Sequence, residues 1–173
     1  DKRIVFFAVG FETTAPANAL SVLHAKREGI KNYSILTSHV LVPPAIEAIV
    51  NDLSYIVHGL LAAGHVCTIM GIGDYYPLVE KNKLPIVITG FEPVDLLQGI
   101  TMLIKQLENG EHKLENQYSR VVKAEGNPEA VKVIEQVFEI THRDWRGIGE
   151  IPYSGYEVRK ELEAFNANVK FDI

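Results

Sequence analysis

The sequence predicts an α/β protein in which helices cover both faces of a parallel sheet. Short apolar runs rich in β-branched residues alternate with longer stretches of helical spacing, a pattern typical of parallel strands joined by crossover helices. With 173 residues, 47% of them hydrophobic, the chain can bury one core of ordinary size. A Gly-Phe-Glu triplet follows two of the apolar runs, at residues 10–12 and 90–92, which indicates a repeated strand–turn–helix unit.

The first half of the chain predicts three such units. Pro16 suits the first turn of the first helix and Gly29 follows its end, while the paired prolines 43 and 44 hold the exit of the second strand in one shape. Another helix is expected to begin near Thr68. The predicted strands and helices are Ile4–Val9, Ala15–Glu28, Tyr33–Thr37, Ala45–Asn51, Val57–Ala62 and Tyr75–Lys81.

The strand–helix alternation weakens in the second half. Pro85–Thr89 is a predicted strand, and Val94–Glu108 is a predicted helix because apolar residues recur along it at helical spacing. Segment 115–123 fits a strand or a helix. Asn127 and Pro128 are typical of a helix start. The remaining predicted elements are a helix at Ala130–Phe138, irregular structure at Asp144–Gly155 and a last helix at Val158–Phe165.

These elements predict an α/β domain over residues 1–140 and an irregular segment with a terminal helix over residues 141–173. The chain begins at Asp1, without Met, directly before a strand, which suggests a piece excised from a longer protein.

Composition argues against several classes of protein. A net charge of −5 with scattered Lys and Arg provides no basic surface for nucleic acid. The apolar runs are shorter than the roughly 20 residues needed to span a bilayer and no signal peptide is recognisable, so a cytoplasmic location is expected. The single cysteine, Cys67, excludes an internal disulfide and a Cys-rich metal site within this chain.

Polar residues at the ends of the predicted strands are the candidate site. Ligands of open α/β sheets bind at the carboxyl ends of the strands, where helix N–H groups and loop side chains converge. Two strands end in Gly-Phe-Glu and two others in a small residue followed by His-Val. If the strands are parallel, Glu12, His39, His65 and Glu92 lie at one edge of the sheet.

Each candidate also has an ordinary structural explanation. Glu12 and Glu92 can transfer protons or hold a cation, or they can cap a helix. His39 and His65 can bind metal or act as acid and base, or be buried imidazoles bonded to carbonyls. No Cys/His spacing indicates zinc. Cys67 can be a nucleophile or a small core residue.

Two arginines complete the set of candidates. Arg120 and Arg146 can bind an anion, pair with Glu12 or Glu92, or form a purely structural ion pair. The glycines do not form a phosphate-binding fingerprint, so a nucleotide site is weakly supported.

Six segments, in this order, resemble the HypD family of nickel–iron hydrogenase maturation factors. They are GFETTAP, SHVLVPPA, AAGHVCTIMG, GFEPVDLLQGI, ENQYSRVV and WRGIGEIPYSG, and the resemblance extends from Ile4 to about Phe171. It implies a cytoplasmic protein with Rossmann-like domains around a cleft, which acts with HypC as a scaffold on which iron receives its cyanide and carbon monoxide ligands. HypE, with HypF, supplies the cyanide.

The resemblance also implies which residues face the cleft. The family's iron-holding cysteine, its redox pair and the cysteines of its 4Fe-4S cluster match no position here, so no metal ligand or cofactor is expected in this chain. Trp145 and Arg146 lie in a segment that can dock a partner. The expected cleft-lining residues are Gly10, Phe11, Glu12, Thr13, Thr14, Pro16, Ser38, His39, Gly64, His65, Gly90, Phe91, Glu92, Pro93 and Asp95.

Two functions follow as hypotheses. In the first, the chain is part of the maturation scaffold and its strand-end groups order the surroundings of iron held elsewhere. In the second, the chain is a free-standing α/β enzyme that uses a Glu and a His as acid and base on a small carbonyl compound.

Overall fold

The structure, a computed structural model, describes residues 2–52 and 56–173. The protein divides into two compact units. Unit 1 comprises Asp1–Ala45 and Glu129–Ile173, and unit 2 comprises Ile46–Pro128. Strands and helices alternate through most of the chain, which confirms the α/β class. The expected domain boundary at residue 140 stays a prediction.

The regular elements largely follow the sequence pattern. A 3-10 helix at Lys160–Phe165 precedes the last α-helix. The strands and helices in chain order are β1 (Ile4–Gly10), α1 (Ala15–Arg27), β2 (Tyr33–His39), α2 (Val42–Asn51), β3 (Leu60–Ala63), α3 (Gly64–Met70), α4 (Tyr75–Asn82), β4 (Ile86–Thr89), α5 (Pro93–Glu108), β5 (Leu114–Asn116), α6 (Pro128–Val137), β6 (Phe138–Trp145), β7 (Gly149–Val158) and α7 (Ala167–Phe171).

Unit 1 is built on the parallel pair β1–β2 and the antiparallel pair β6–β7. The chain just past β2 joins β7, because the Leu41 N–H donates to the Ser154 carbonyl at 2.7 Å. Helix α1 buries a narrow face of small residues, Ala15, Ala19, Val22 and Ala25. The large apolar side chains of β1 are exposed, although the sequence predicts helices on both faces of its sheet.

Unit 2 is built on three parallel strands in the order β3–β4–β5. Strand β4 is central and every residue of it is buried, as expected for a strand covered on both faces. Cys67 lies fully buried in this core. The buried core residues of the unit are Ala62, Cys67, Ile72, Tyr75, Leu78, Val79, Ile86, Ile88 and Val122.

Two expectations need correction. The described strands lie in three separate sheets and not in one. The segment 144–155, expected to be irregular, belongs to the β6–β7 hairpin, in which Gly147 and Gly149 adopt φ values of 84° and 97° at the turn. Helix α5 buries Asp95, Gly99 and Gln106, whereas much of its apolar stripe is exposed.

Within residues 2–52 and 56–173, none of the helices combines the length and the apolar character required to cross a membrane.

Candidate functional site

The carboxyl ends of β1 and β2 lie side by side in unit 1. The two strands run in register from the pair Ile4–Tyr33 to the pair Gly10–His39, so the loop after β1 is next to the end of β2. A Cβ on residue 10 would collide with the Thr14 hydroxyl, so glycine permits the close approach of this loop to the start of α1. The parallel pairing predicted for these two strands is therefore what joins Glu12, Thr14 and His39 in one region.

Glu12 is a buried carboxylate that binds the start of a helix. Its side chain is 1% exposed, and Oε1 accepts a hydrogen bond of 2.8 Å from the N–H of Val42, the first residue of α2. A carboxylate there satisfies an N–H that has no partner inside the helix and complements the helix dipole. Glu12 thus ties the loop after β1 to α2.

His39 is fully buried and is held by the first turns of α1. Its Nε2 lies 2.9 Å from the Asn18 amide nitrogen and 3.2 Å from the Thr14 hydroxyl oxygen. The ring packs near Phe138, with centroids 5.8 Å apart. Because the amide nitrogen can only donate, this arrangement makes Nε2 the acceptor and leaves the proton on Nδ1.

The surroundings of His39 keep its imidazole neutral. Burial, and secondarily the charge of Arg143, lower the pKa of His39 from 6.5 to about 4, because a second positive charge in a dry site is unfavourable. Arg143 is fixed by donating to the carbonyls of Tyr156 at 2.6 Å and Thr37 at 3.2 Å, and it pairs with Glu157 at 3.0 Å. The site in unit 1 therefore presents a neutral hydrogen-bonding ring at neutral pH.

In unit 2 the ends of β3 and β4 approach so closely that two glycines are required. A Cβ at Gly64 would lie 2.6 Å from the Thr89 carbonyl oxygen and 2.7 Å from the Tyr118 ring. A Cβ at Gly90 would collide with Asp95 Oδ2 and lie 2.8 Å from Tyr118. Real Cβ atoms do not approach so closely, so these glycines permit the packing of Tyr118 against both strand ends.

The strand end of β4 is fixed by a buried carboxylate. Asp95, 3% exposed, accepts two hydrogen bonds from Arg120, at 2.7 and 2.5 Å, and one of 2.9 Å from the Gln117 amide. The Thr89 hydroxyl donates to the Asp95 carbonyl at 3.0 Å. Bidentate guanidinium–carboxylate pairs are the strong, directional kind, so this network joins β4, α5 and the segment after β5.

Asp95 and Arg120 each stabilise the charged form of the other. Hydrogen bonding by Arg120, and then by Gln117, lowers the pKa of Asp95. Asp95 in turn raises the pKa of Arg120, and Glu92 adds a smaller contribution of the same sign. The Arg120 side chain is 54% exposed and its Cζ lies 4.5 Å from the Tyr118 ring centroid, so a cation held in one position faces solvent here.

His65 and Glu92 are exposed at the same strand ends. His65 is the second residue of α3, and its ring packs on Phe91 with centroids 4.9 Å apart. Glu92 is the N-cap residue of α5, but its side chain makes no capping hydrogen bond. Unlike Glu12, Glu92 therefore presents a carboxylate that does not cap its helix.

The other predicted residues have simpler positions. The Trp145 indole donates to the Ser154 hydroxyl at 2.9 Å, and Arg146 is exposed in the hairpin turn. Arg120 pairs with Asp95, not with either of the carboxylates suggested by the sequence. Ser38, Thr13 and Pro16 are half-buried, and Phe11, Phe91 and Pro93 are exposed.

Sequence reasoning missed four residues of these sites, which are Asn18, Gln117, Tyr118 and Arg143. The sequence could have indicated Asn18, because it follows Thr14 by one helical turn and therefore faces the same strand end. Gln117 and Tyr118 lie just before the predicted anion-binding Arg120. Nothing in the local pattern around Arg143 indicated its contacts, which depend on the pairing of β6 with β7.

The donor set of the described residues does not suit an iron–sulfur cluster or a resident metal ion. Clusters of this kind are held by several thiolates, whereas the chain has one cysteine, buried in the core of unit 2. Across 2–52 and 56–173, no three His, Cys, Asp or Glu side chains are grouped so as to hold a metal.

Comparison with known proteins gives consistent similarities. The family model HypD, described as "Hydrogenase formation hypA family", matches residues 1–173. The chain is 42% identical to the hydrogenase expression/formation protein HupD of Azotobacter chroococcum mcd 1, over 98% of this chain and 46% of that protein. Hydrogenase maturation factors HypD of Rhodobacter capsulatus and Rhizobium leguminosarum bv. viciae are 40% and 39% identical, over 99% and 100% of this chain and 46% and 47% of their own lengths. The chain spans about half the length of these curated relatives.

Proposed function

Because this chain belongs to the HypD family, we propose that it forms part of a nickel–iron hydrogenase maturation factor. In this proposal the chain supplies walls of the cleft in which a scaffold assembles the Fe(CN)2CO centre, with iron as the cargo. The thiolates that hold iron and the 4Fe-4S cluster belong to other parts of the full-length protein. HypC is the proposed partner on the scaffold, HypE delivers cyanide in the transfer complex, and the assembly works in the cytoplasm.

The observation that carries the proposal is that hydrogen bonds hold the polar groups at the strand ends in fixed positions. Asp95 fixes Arg120 through two hydrogen bonds, and Thr14 and Asn18 fix His39. Groups locked by such networks keep one geometry, as is required of residues that orient a metal centre bound by other ligands.

The exposed groups of unit 2 suit ligands of this chemistry. A cyanide nitrogen bound to iron accepts hydrogen bonds, and the guanidinium of Arg120 carries several donors in a fixed plane. His65 offers a second donor or acceptor on the same unit. We therefore assign to these two side chains the binding of cyanide ligands during assembly.

The rival hypothesis, a free-standing enzyme with a Glu/His acid–base pair, is less well supported for the pair Glu12 and His39. An efficient acid–base group has a pKa near the working pH, whereas the pKa of His39 is lowered to about 4. The Glu12 carboxylate is engaged with the N–H of Val42. Turnover of a small carbonyl compound by the isolated, metal-free chain would favour the enzyme.

Two substitutions in the full-length family protein test the scaffold. Glu12→Gln keeps an acceptor for Val42 but removes the charge, and His65→Ala removes an exposed ring. Both are expected to leave folding intact and to lower the yield of active hydrogenase, whereas His112→Ala, at an exposed position before β5, is the control. Full maturation by both variants would contradict the proposal, and loss of the fold in both would favour a structural role.

Iron content separates the two hypotheses independently. The isolated chain is expected to bind no iron under anaerobic loading, and the full-length protein with HypC is expected to bind iron beyond that of its cluster. Equal iron binding by the two would contradict the proposed division of roles.

A further inference from the structure

Unit 1 carries a basic groove at the end of its sheet opposite to the candidate site. The groove is lined by Lys2, Arg3, Lys31, Asn32 and Lys170, together with Gly29, and has a volume of about 710 Å³. These residues immediately precede β1 and β2 or lie in α7, whereas the candidate site lies where those strands end. The groove is therefore a separate feature of the unit.

Four cations meet in this groove although the chain as a whole has a net charge of −5. All four are exposed, and the described residues that line the groove include no carboxylate. Two hydrogen bonds from side chains to backbone carbonyls join residues that line the groove. The Lys170 ammonium donates to the Lys31 carbonyl at 3.1 Å, and the Asn32 amide donates to the Lys2 carbonyl at 2.9 Å. Concentrated charge of one sign attracts a partner of the opposite sign.

An apolar groove continues from the basic one, because Lys31 and Lys170 line both. Ile30, Phe165 and Val169 form its apolar wall, Ala164 and Glu163 complete the lining, and its volume is about 570 Å³. Val169 is 61% exposed and Ile30 is 38% exposed. An apolar groove bordered by cations is complementary to a segment that carries both apolar and acidic side chains.

We propose that these two grooves together bind an acidic segment of a partner protein, one that carries both carboxylates and apolar side chains. The carboxylates bind the four cations and the apolar side chains pack on Ile30, Phe165 and Val169. A nucleic acid fits less well, because its phosphates would bind the cations but the apolar groove would stay unfilled.

Fluorescence anisotropy with synthetic probes tests the proposal on the whole chain. The probe is a labelled twelve-residue peptide of alternating Glu-Glu and Leu-Leu pairs. Its controls are the same peptide with every Glu replaced by Gln, an all-Glu peptide of equal length and single-stranded dT12. The Glu/Leu peptide is expected to bind more tightly than all three controls and to lose affinity between low and physiological salt. Tighter binding of dT12 or of the all-Glu peptide, or no binding of the Glu/Leu peptide, would overturn the proposal.

Variants locate the binding. Lys31→Gln with Lys170→Gln removes two charges and is expected to weaken the Glu/Leu peptide about fivefold. Lys123→Gln with Lys132→Gln, at exposed positions outside the grooves, is the matched control and is expected to bind as the wild type does. Because loss of the Lys170 hydrogen bond can disturb α7, Lys2→Gln with Arg3→Gln provides a second double variant. Val169→Ser should weaken the Glu/Leu peptide and leave the all-Glu peptide unchanged. Equal affinity in the wild type and both groove double variants would overturn the proposal.

Discussion

The stability of unit 1 should fall as the pH is lowered through the range in which His39 is protonated only in the unfolded chain. Burial lowers the pKa of His39 from 6.5 to about 4, so between these values the unfolded state binds a proton that the folded state does not. Stability that is fully present above pH 6.5 is then progressively lost as the pH falls towards 4. Linkage gives a loss of about 2 kcal/mol between pH 7.5 and pH 5.0 for a shift of this size.

Urea unfolding followed by tryptophan fluorescence measures this loss in the right unit. The chain has one tryptophan, Trp145, which lies in unit 1 and donates to Ser154. The matched variants are His39→Gln, which keeps an acceptor near the position of Nε2 but cannot titrate, and His24→Gln on the exposed surface of α1. The wild type and His24→Gln should lose about 2 kcal/mol more than His39→Gln between the two pH values.

Equal pH dependence in all three proteins would refute the reasoning, because it would mean that His39 titrates alike in the folded and unfolded states. A smaller loss of stability in His24→Gln than in the wild type would show that His24 contributes to the pH dependence that is assigned here to His39. Other groups contribute equally to all three proteins, so the difference between His39→Gln and the wild type isolates the imidazole.

Three further predictions concern unit 2. Gly90→Ala forces a Cβ against Asp95 and Tyr118 and should destabilise the unit by about 1–3 kcal/mol in thermal unfolding, whereas Gly73→Ala, with open space around it, should be tolerated. Asp95→Asn should be less stable than the wild type at pH 7. Since the pKa of Asp95 is lowered below 3.8, the two proteins should converge in stability as the pH falls below that value, and parallel curves would contradict the role of its ion pair. The buried Cys67 thiol should react with a disulfide reagent only as fast as unit 2 opens, and labelling at the rate of a free thiol would show that the core is misassigned.

The local elements were predictable because their signals are local. Apolar runs, Pro16 near the start of α1 and Gly29 after its end mark strands and helices through short-range backbone chemistry, and their bounds agree within a few residues. The pairing of β1 with β2 also followed from the alternation of strand and helix. The carboxyl ends of these strands bring Thr14 and Asn18 to His39, whereas His65 and Glu92, which were expected at the same sheet edge, lie in unit 2.

Long-range partners were not predictable in the same way. Which strands share a sheet depends on register and on distant segments, so one expected sheet became three. The glycines near residue 150 suggested irregular structure, but they lie in a regular hairpin. Gly155, in β7, permits close packing against the end of β2, because a Cβ there would lie 2.7 Å from the His39 carbonyl oxygen. Of the alternatives left open for Arg120, the structure shows an ion pair, with Asp95 as the partner. The sequence could not single out Asp95, because its burial follows from tertiary packing and overrides the usual exposure of a first-turn carboxylate.

The most direct test of the scaffold proposal is a chimera of Rhodobacter capsulatus HypD in which this chain replaces the matching stretch. The chimera is produced in a strain that lacks its own HypD, and hydrogenase activity is measured beside that of a chimera with His65→Ala. Restored activity with this chain and reduced activity with the variant is the predicted result. Two results would contradict the role assigned to these strand ends. One is a folded, soluble chimera that restores no hydrogenase activity, and the other is equal hydrogenase activity with and without His65→Ala.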